Sequence, residues 1–453
     1  MALETINPAT GELLKTFEEW SHEKTAGVIE EVHKAFQSWK DTSFAQRSKL
    51  MNKAAAVLRE NKDEYARIMA LEMGKPIVEG RSEVEKCAWV CEYYAENAAK
   101  FLSDEPAQSD GSKAYVGFRP LGVVLAVMPW NFPFWQVFRF AAPGLMAGNT
   151  GVLKHSSNVP QCALAIEEVF EKAGFPKNVF RSLLIGSGKV DKVIENPRIM
   201  AVTLTGSDIA GRKVAGKAGQ MLKKAVMELG GSDPFIVLED ADLDQAVPVG
   251  VVARCINSGQ SCIAAKRFIV VEAVYDKFLS RFKEEMEKLV VGDPLDEKTR
   301  VGPQAREDLM NELQGQVEAS VAKGATVVTG GKPLGKAAFY PPTILADVKP
   351  GMPAYHEEFF GPVAIIIKAK DAEDALKIAN DTDFGLGGSV WTRDTAKGEA
   401  IAARVQAGAV FVNGMVKSDP RLPFGGTKIS GFGRELSHYG IKEFVNIQTV
   451  WVK

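Results

Sequence analysis

The sequence predicts an α/β protein in which a Rossmann-type region is followed by a second α/β region. Three observations predict it. Short apolar runs at residues 150–154, 181–185, 201–205 and 225–228 alternate with helical stretches at 191–195 and 209–218, the spacing of βαβ units and a parallel sheet. A second series of apolar runs, at 235–238, 268–271, 363–368 and 410–413, follows from about residue 231. The chain also has 453 residues, 46% hydrophobic and 25% charged, a globular composition, and its length suits two or three domains at roughly 150 residues each.

The elements follow in chain order. The N-terminal third is helical in pattern. Within residues 23–40, Ile29, Val32, Phe36 and Trp39 line one helical face, and helical composition continues through 46–70 and 79–100. Residues 104–113 form a polar break containing Pro106 and Gly111. After the run at 150–154, Asn158-Val159-Pro160 opens a helix, with proline where its missing N–H does no harm. In the second region Val274, Phe278, Phe282, Met286 and Leu289 mark an amphipathic helix. Residues 444–452 are extended in composition and suited to edge pairing with another subunit. No internal repeat is present.

Composition excludes several functions. Lys plus Arg at 55 nearly cancels Asp plus Glu at 57, so nothing draws the chain to nucleic acid or an anionic membrane. The apolar stretch 120–148 is broken by prolines, Asn131 and Arg139, which rules it out as a membrane span. The N-terminus lacks an apolar leader. The five cysteines are unpatterned and the histidines scattered, which suits a reducing cytoplasm and no metal site. Residues 211–217 and 330–336 spell G-x-x-x-x-G-K, but alanine follows each where a phosphate loop needs Ser or Thr.

Three segments carry chemistry. In Asn257-Ser258-Gly259-Gln260-Ser261-Cys262 a single thiol sits among small and polar residues before an apolar run, a setting for a nucleophile. Read alone, it leaves an inert buried cysteine as the commoner outcome. Glu228, in Met227-Glu228-Leu229-Gly230-Gly231, ends a strand where α/β sites open and is a candidate general base for water. Read alone, a solvated loop residue is the commoner outcome. Asn131, in Pro129-Trp130-Asn131-Phe132-Pro133, offers an amide donor to a developing oxyanion, or else caps a turn.

Together and in this order, these segments resemble the aldehyde dehydrogenase superfamily, and the match runs over essentially the whole chain. Leu204-Thr205-Gly206-Ser207, Glu357-Glu358-Phe359-Phe360-Gly361-Pro362-Val363 and Pro423-Phe424-Gly425-Gly426 support it. Finer texture, notably Lys154-His155-Ser156-Ser157-Asn158-Val159-Pro160, is similar to the bacterial succinate-semialdehyde dehydrogenases. The resemblance implies an aldehyde dehydrogenase-like fold. Residues 1–110 and 123–230 would form a Rossmann-type cofactor domain and 231–436 a catalytic domain. Residues 111–122 and 437–453 would form a small β oligomerisation arm of a homodimer or homotetramer.

It also implies roles. Cys262 attacks the aldehyde, Asn131 and the Cys262 N–H hold the oxyanion of the thiohemiacetal, and Glu228 activates the water that hydrolyses the thioester. Glu358 binds the nicotinamide ribose, Phe360 and Trp130 flank the ring, Leu229 contributes backbone, Gly206-Ser207 receives pyrophosphate and Lys154 contacts the adenosine ribose. Ser157 stands where NAD-specific members often carry glutamate, so NADP is expected, with NAD a weaker substitute. Arg139, eight residues after Asn131, and Ser418 are the expected carboxylate-binding pair, which points to succinate semialdehyde. Ile256 replaces a second arginine found in some members, and Arg421 is a candidate to compensate. The alternatives are a broad aliphatic or hydroxyaldehyde dehydrogenase and, more distantly, a cofactor-independent cysteine hydrolase or a non-catalytic protein on the same fold.

Overall fold

The computed structural model describes residues 2–453. Two mainly parallel sheets carry the molecule. In the first, Phe180–Ser182, Thr150–His155, Val123–Met128, Ile199–Thr205 and Lys224–Glu228 lie side by side in parallel. Gly431–Phe432 closes the far edge antiparallel to Lys224–Glu228, so a piece of the 231–436 span belongs to the first sheet. These strands are nearly continuous apolar runs because helices cover both faces.

The second sheet runs in the order Thr326–Thr329, Thr343–Ala346, Val363–Ala369, Ala265–Val271, Asp233–Val237, Gly387–Trp391, Ala409–Val412. Only Thr326–Thr329 is antiparallel. A third, three-stranded sheet pairs Val445–Val452 with Lys113–Pro120, and Lys113–Pro120 with Glu105–Pro106. Val445–Val452 is its edge strand, with Ile447, Trp451 and Val452 exposed.

The helices form where side chains satisfy their ends. His22–Trp39 begins at Ser21, whose hydroxyl accepts the Lys24 N–H at 3.2 Å, and it buries Ile29, Val32, Phe36 and Trp39 as the periodicity requires. Phe44–Glu60 starts with a reciprocal capping box between Ser43 and Gln46. Pro160–Lys172 carries its proline in the first turn. The N-terminal third departs from a purely helical pattern in one place, a hairpin of Ala2–Ile6 with Leu13–Glu18. No described helix is long and apolar enough to cross a membrane.

Candidate active site

Topology places the site. Val123–Met128 is flanked by Thr150–His155 on one side and Ile199–Thr205 on the other, so the chain reverses its direction of travel across the sheet between them. At such a switch point the loops leaving the carboxyl ends of adjacent strands diverge and leave a crevice. Trp130 and Asn131 come from one of these loops, Gly206 and Ser207 from the other. The second sheet meets this edge with the loops that precede its strands: Cys262 lies just before Ala265–Val271, and Glu358 and Phe360 just before Val363–Ala369. All of these residues, with Leu229, line one cavity of about 480 Å³.

The loop carrying Cys262 is tightly fixed. Asn257, Ser258 and Gly259 are consecutive residues in the left-handed region, at φ 53°, 56° and 77°, a conformation that persists only where its surroundings enforce it. Gly259 is required twice over, since a Cβ there would lie 2.2 Å from the Gly361 carbonyl carbon. The Asn257 side-chain amide donates to the Asn131 carbonyl at 2.7 Å and to the Gln260 carbonyl at 3.1 Å. The buried Lys266 ammonium donates to the Ser261 and Cys262 carbonyls, both at 2.8 Å.

Asn131 Nδ2 donates one hydrogen to the Gln260 carbonyl at 3.1 Å. An amide nitrogen has two hydrogens, so one remains for a ligand. Burial pushes the Cys262 thiol up to about 12, while Lys266 and then Arg139 pull it down. The resting group is therefore the neutral thiol.

Glu228 ends its strand one residue before the cavity-lining Leu229. Its carboxyl is buried, and neither oxygen has a hydrogen-bond partner. Burial drives its pKa well above the carboxylate range, against the pull of Arg139. Glu358 accepts the Gly231 N–H at 3.0 Å and pairs with Lys266 at 3.2 Å, which aims it into the cavity. Phe360 meets Trp130 edge-on at 5.8 Å between centroids. Ser207 caps the helix Asp208–Gln220, its hydroxyl accepting the Ala210 N–H at 3.3 Å.

Lys154 and Ser157 lie outside this cavity, on and just after the strand Thr150–His155. Lys154 is only 6% exposed, and it makes no ion pair or hydrogen bond among the described residues. Burial alone lowers its pKa to about 8. No group of three or more His, Cys, Asp or Glu side chains is placed to hold a metal among the described residues.

Comparison with known proteins agrees with this geometry. The model of the aldehyde dehydrogenase family matches residues 1–450. The chain belongs to that family.

A probable NADP(+) succinate-semialdehyde dehydrogenase of Synechocystis is 52% identical over 453 residues, covering all of both chains. An NADP(+) succinate-semialdehyde dehydrogenase of Mycobacterium tuberculosis is 51% identical over 456 residues, again covering all of both. The crystal structure of a succinic semialdehyde dehydrogenase from Streptococcus pyogenes, in complex with NADP+, superposes with a TM-score of 0.97 at 38% identity and full coverage of both chains.

In this aldehyde dehydrogenase Arg139 lies in a network of its own. Its guanidinium is 1% exposed, ion-paired with Glu435, bonded to Thr205 Oγ1 at 3.1 Å and stacked on Phe424 at 4.6 Å. Arg421 pairs with Asp419 at 2.6 Å while its side chain stays exposed. Ser418 is buried and accepts a hydrogen bond from Lys86 Nζ at 2.7 Å.

Three residues of this network carried no sequence signal. Lys86 and Lys266 read as ordinary lysines, and Glu435 as one acid among many. Charge counting along the chain does not find them, because their partners are remote in sequence.

Proposed function

We propose that this aldehyde dehydrogenase oxidises succinate semialdehyde to succinate, preferring NADP to NAD, as a cytoplasmic homodimer or homotetramer. In this reading 1–110 with 123–230 is the cofactor domain, 231–436 the catalytic domain, and 111–122 with 437–453 the pairing arms. The observation that carries it is a single cavity that holds the Cys262 thiol together with the spare N–H of Asn131. Those are the parts needed to capture a carbonyl covalently and hold its oxyanion.

Cys262 gives its thiol proton to the Glu228 carboxylate as Sγ attacks the aldehyde carbon, and the oxygen is received by Asn131 Nδ2 and the Cys262 backbone N–H. NADP, when bound, supplies the hydride acceptor. Glu228 releases that proton to solvent, and its carboxylate then takes a proton from the water that cleaves the thioester and frees the acid.

The residues present fit that cofactor. Lys154 is a buried cation without an anionic partner, and Ser157 puts a hydroxyl where a carboxylate would repel a 2′-phosphate. Glu358 would take the nicotinamide ribose, Trp130, Phe360 and Leu229 the ring, and Gly206-Ser207 at the helix start the pyrophosphate. The names of the relatives at about half identity support both the substrate and the cofactor.

Initial rates with succinate semialdehyde and with butanal, each with NADP and NAD, test the proposal. A kcat/KM advantage for the semialdehyde with NADP supports it. Even rates across both aldehydes would remove the semialdehyde, and even rates with both cofactors would remove the NADP preference.

A further inference from the structure

Three loops meet around Cys262: residues 257–262 themselves, 229–231 after the strand Lys224–Glu228, and 357–361 before the strand Val363–Ala369. They are packed to backbone contact. A Cβ on Gly231 would lie 2.7 Å from the Cys262 carbonyl oxygen, and one on Gly230 would run into Glu358 Oε2. Lys266, the second residue of the strand Ala265–Val271, is wholly buried where these loops join.

Its hydrogen-bonding capacity is fully used. An ammonium has three N–H groups. Two go to the Ser261 and Cys262 carbonyls, and the third faces Glu358 Oε1 at 3.2 Å. Glu358 Oε1 in turn accepts the Gly231 N–H. One cation thus ties the peptide that bears the thiol to the carboxylate of a neighbouring loop. Two carbonyls could be satisfied by a neutral amide, with no charge to desolvate. What a lysine adds is positive charge beside a thiol that has to give up its proton.

The charged groups around that thiol act in opposite senses. Lys266 and, more weakly, Arg139 favour the thiolate, whereas Glu358 and Asp233 oppose it. Arg139 is ion-paired with Glu435, and Asp233 accepts the Gly387 N–H at 3.0 Å. Arg254, the other cation that acts on Lys266, donates to the Gly259 carbonyl at 2.6 Å. Of all these groups, Lys266 is the one bonded to the Cys262 peptide itself.

We infer that Lys266 is a positioning residue for the nucleophile: it anchors the Cys262 peptide and, in balance with Glu358, supplies the charge that eases transfer of the thiol proton. This rests on the reading of Cys262 as the nucleophile proposed above and names the pair of groups that tunes it.

The test is the rate at which iodoacetamide alkylates Cys262 in the cofactor-free enzyme at pH 8, followed by mass spectrometry of the Cys262 peptide. The other four cysteines are buried, whereas Cys262 is partly exposed. The wild type is compared with Lys266→Met, Glu358→Gln and the double variant. Lys266→Met should slow alkylation about tenfold, the change in thiolate that one pKa unit brings. Glu358→Gln removes the opposing charge and should speed it about threefold or more. The double variant, with neither charge, should alkylate faster than Lys266→Met by a similar factor. An unchanged or faster rate in Lys266→Met overturns the assignment, as does a slower one in Glu358→Gln. A double variant as slow as Lys266→Met shows a loop that has merely lost its anchor, and overturns it too. Undiminished aldehyde turnover in Cys262→Ser would instead remove the nucleophile itself, which separates the two failures.

Discussion

Lys154→Met should make the cofactor-free enzyme more stable and its cofactor choice worse. Lys154 is 6% exposed with no partner, and burial lowers its pKa from the ordinary 10.5 to about 8. At about 1.4 kcal/mol per pH unit, holding that charge inside costs the folded state about 3 kcal/mol. The sign follows from the direction. The folded value lies below the unfolded one, so the penalty is complete below about pH 8, where both states are charged. It fades as pH rises toward the unfolded value of about 10.4.

Methionine fills nearly the same space without the charge. With an unfolding entropy of about 2.1 cal/mol/K per residue, a gain of about 3 kcal/mol in a chain of 453 residues raises Tm by about 3 °C at pH 7. The gain should shrink between pH 8 and 10. In the same variant the NADP-to-NAD ratio of kcat/KM should fall about 10- to 100-fold, since one charge-assisted contact to the 2′-phosphate is lost. Differential scanning fluorimetry and initial rates read both. A lower Tm together with an unchanged cofactor ratio would show that Lys154 is a packing residue, and would refute the reasoning.

Other predictions follow from the same contacts. Ser157→Glu should shift the NADP-to-NAD ratio toward NAD by about tenfold or more, because a carboxylate repels the 2′-phosphate; steady-state kinetics with both cofactors checks it. Asn131→Ala should lower kcat about 100- to 1000-fold with little change in KM, the signature of a lost oxyanion donor. Arg139→Met strands Glu435 without its cation and should cost about 3–5 kcal/mol of stability. In the same variant a loss of kcat/KM on succinate semialdehyde beyond that on butanal would mark Arg139 as a substrate ligand, and equal losses would confine it to its pair with Glu435.

Legibility in the sequence divides by range. Parallel strands such as Ile199–Thr205 and Val363–Ala369 could be read because each is a nearly unbroken apolar run buried on both faces, whereas Val123–Met128 was hidden inside the longer apolar stretch 120–148. The hairpin Ala2–Ile6/Leu13–Glu18 could not, since Leu13–Glu18 is almost wholly exposed and shows no alternation. Gly387–Trp391 was missed because two glycines begin it, although it is fully buried. The motif loops announced Cys262, Asn131 and Glu358 because glycine, proline and asparagine are needed there for backbone shape. The pairing of Arg139 with Glu435 could not be read, since Glu435 lies far along the chain. Lys86 looked like a surface lysine on a long helix, and its partner Ser418 is 332 residues on.

The pattern of charge pairing explains why one lysine stands apart. Most buried charge near the reacting centre is matched: Arg139 with Glu435, Lys266 with Glu358, Lys75 with Glu83. Burial opposes charge on Cys262 and Glu228. Lys154 instead is buried with no carboxylate partner, and Ser157 lies three residues on in the chain. A buried cation without an anion destabilises the fold, so its retention calls for something that completes it, and the 2′-phosphate of NADP would do so. On this reading the enzyme binds its preferred cofactor partly by relieving its own unpaired charge. NADP should then raise Tm, and part of that increment should vanish in Lys154→Met.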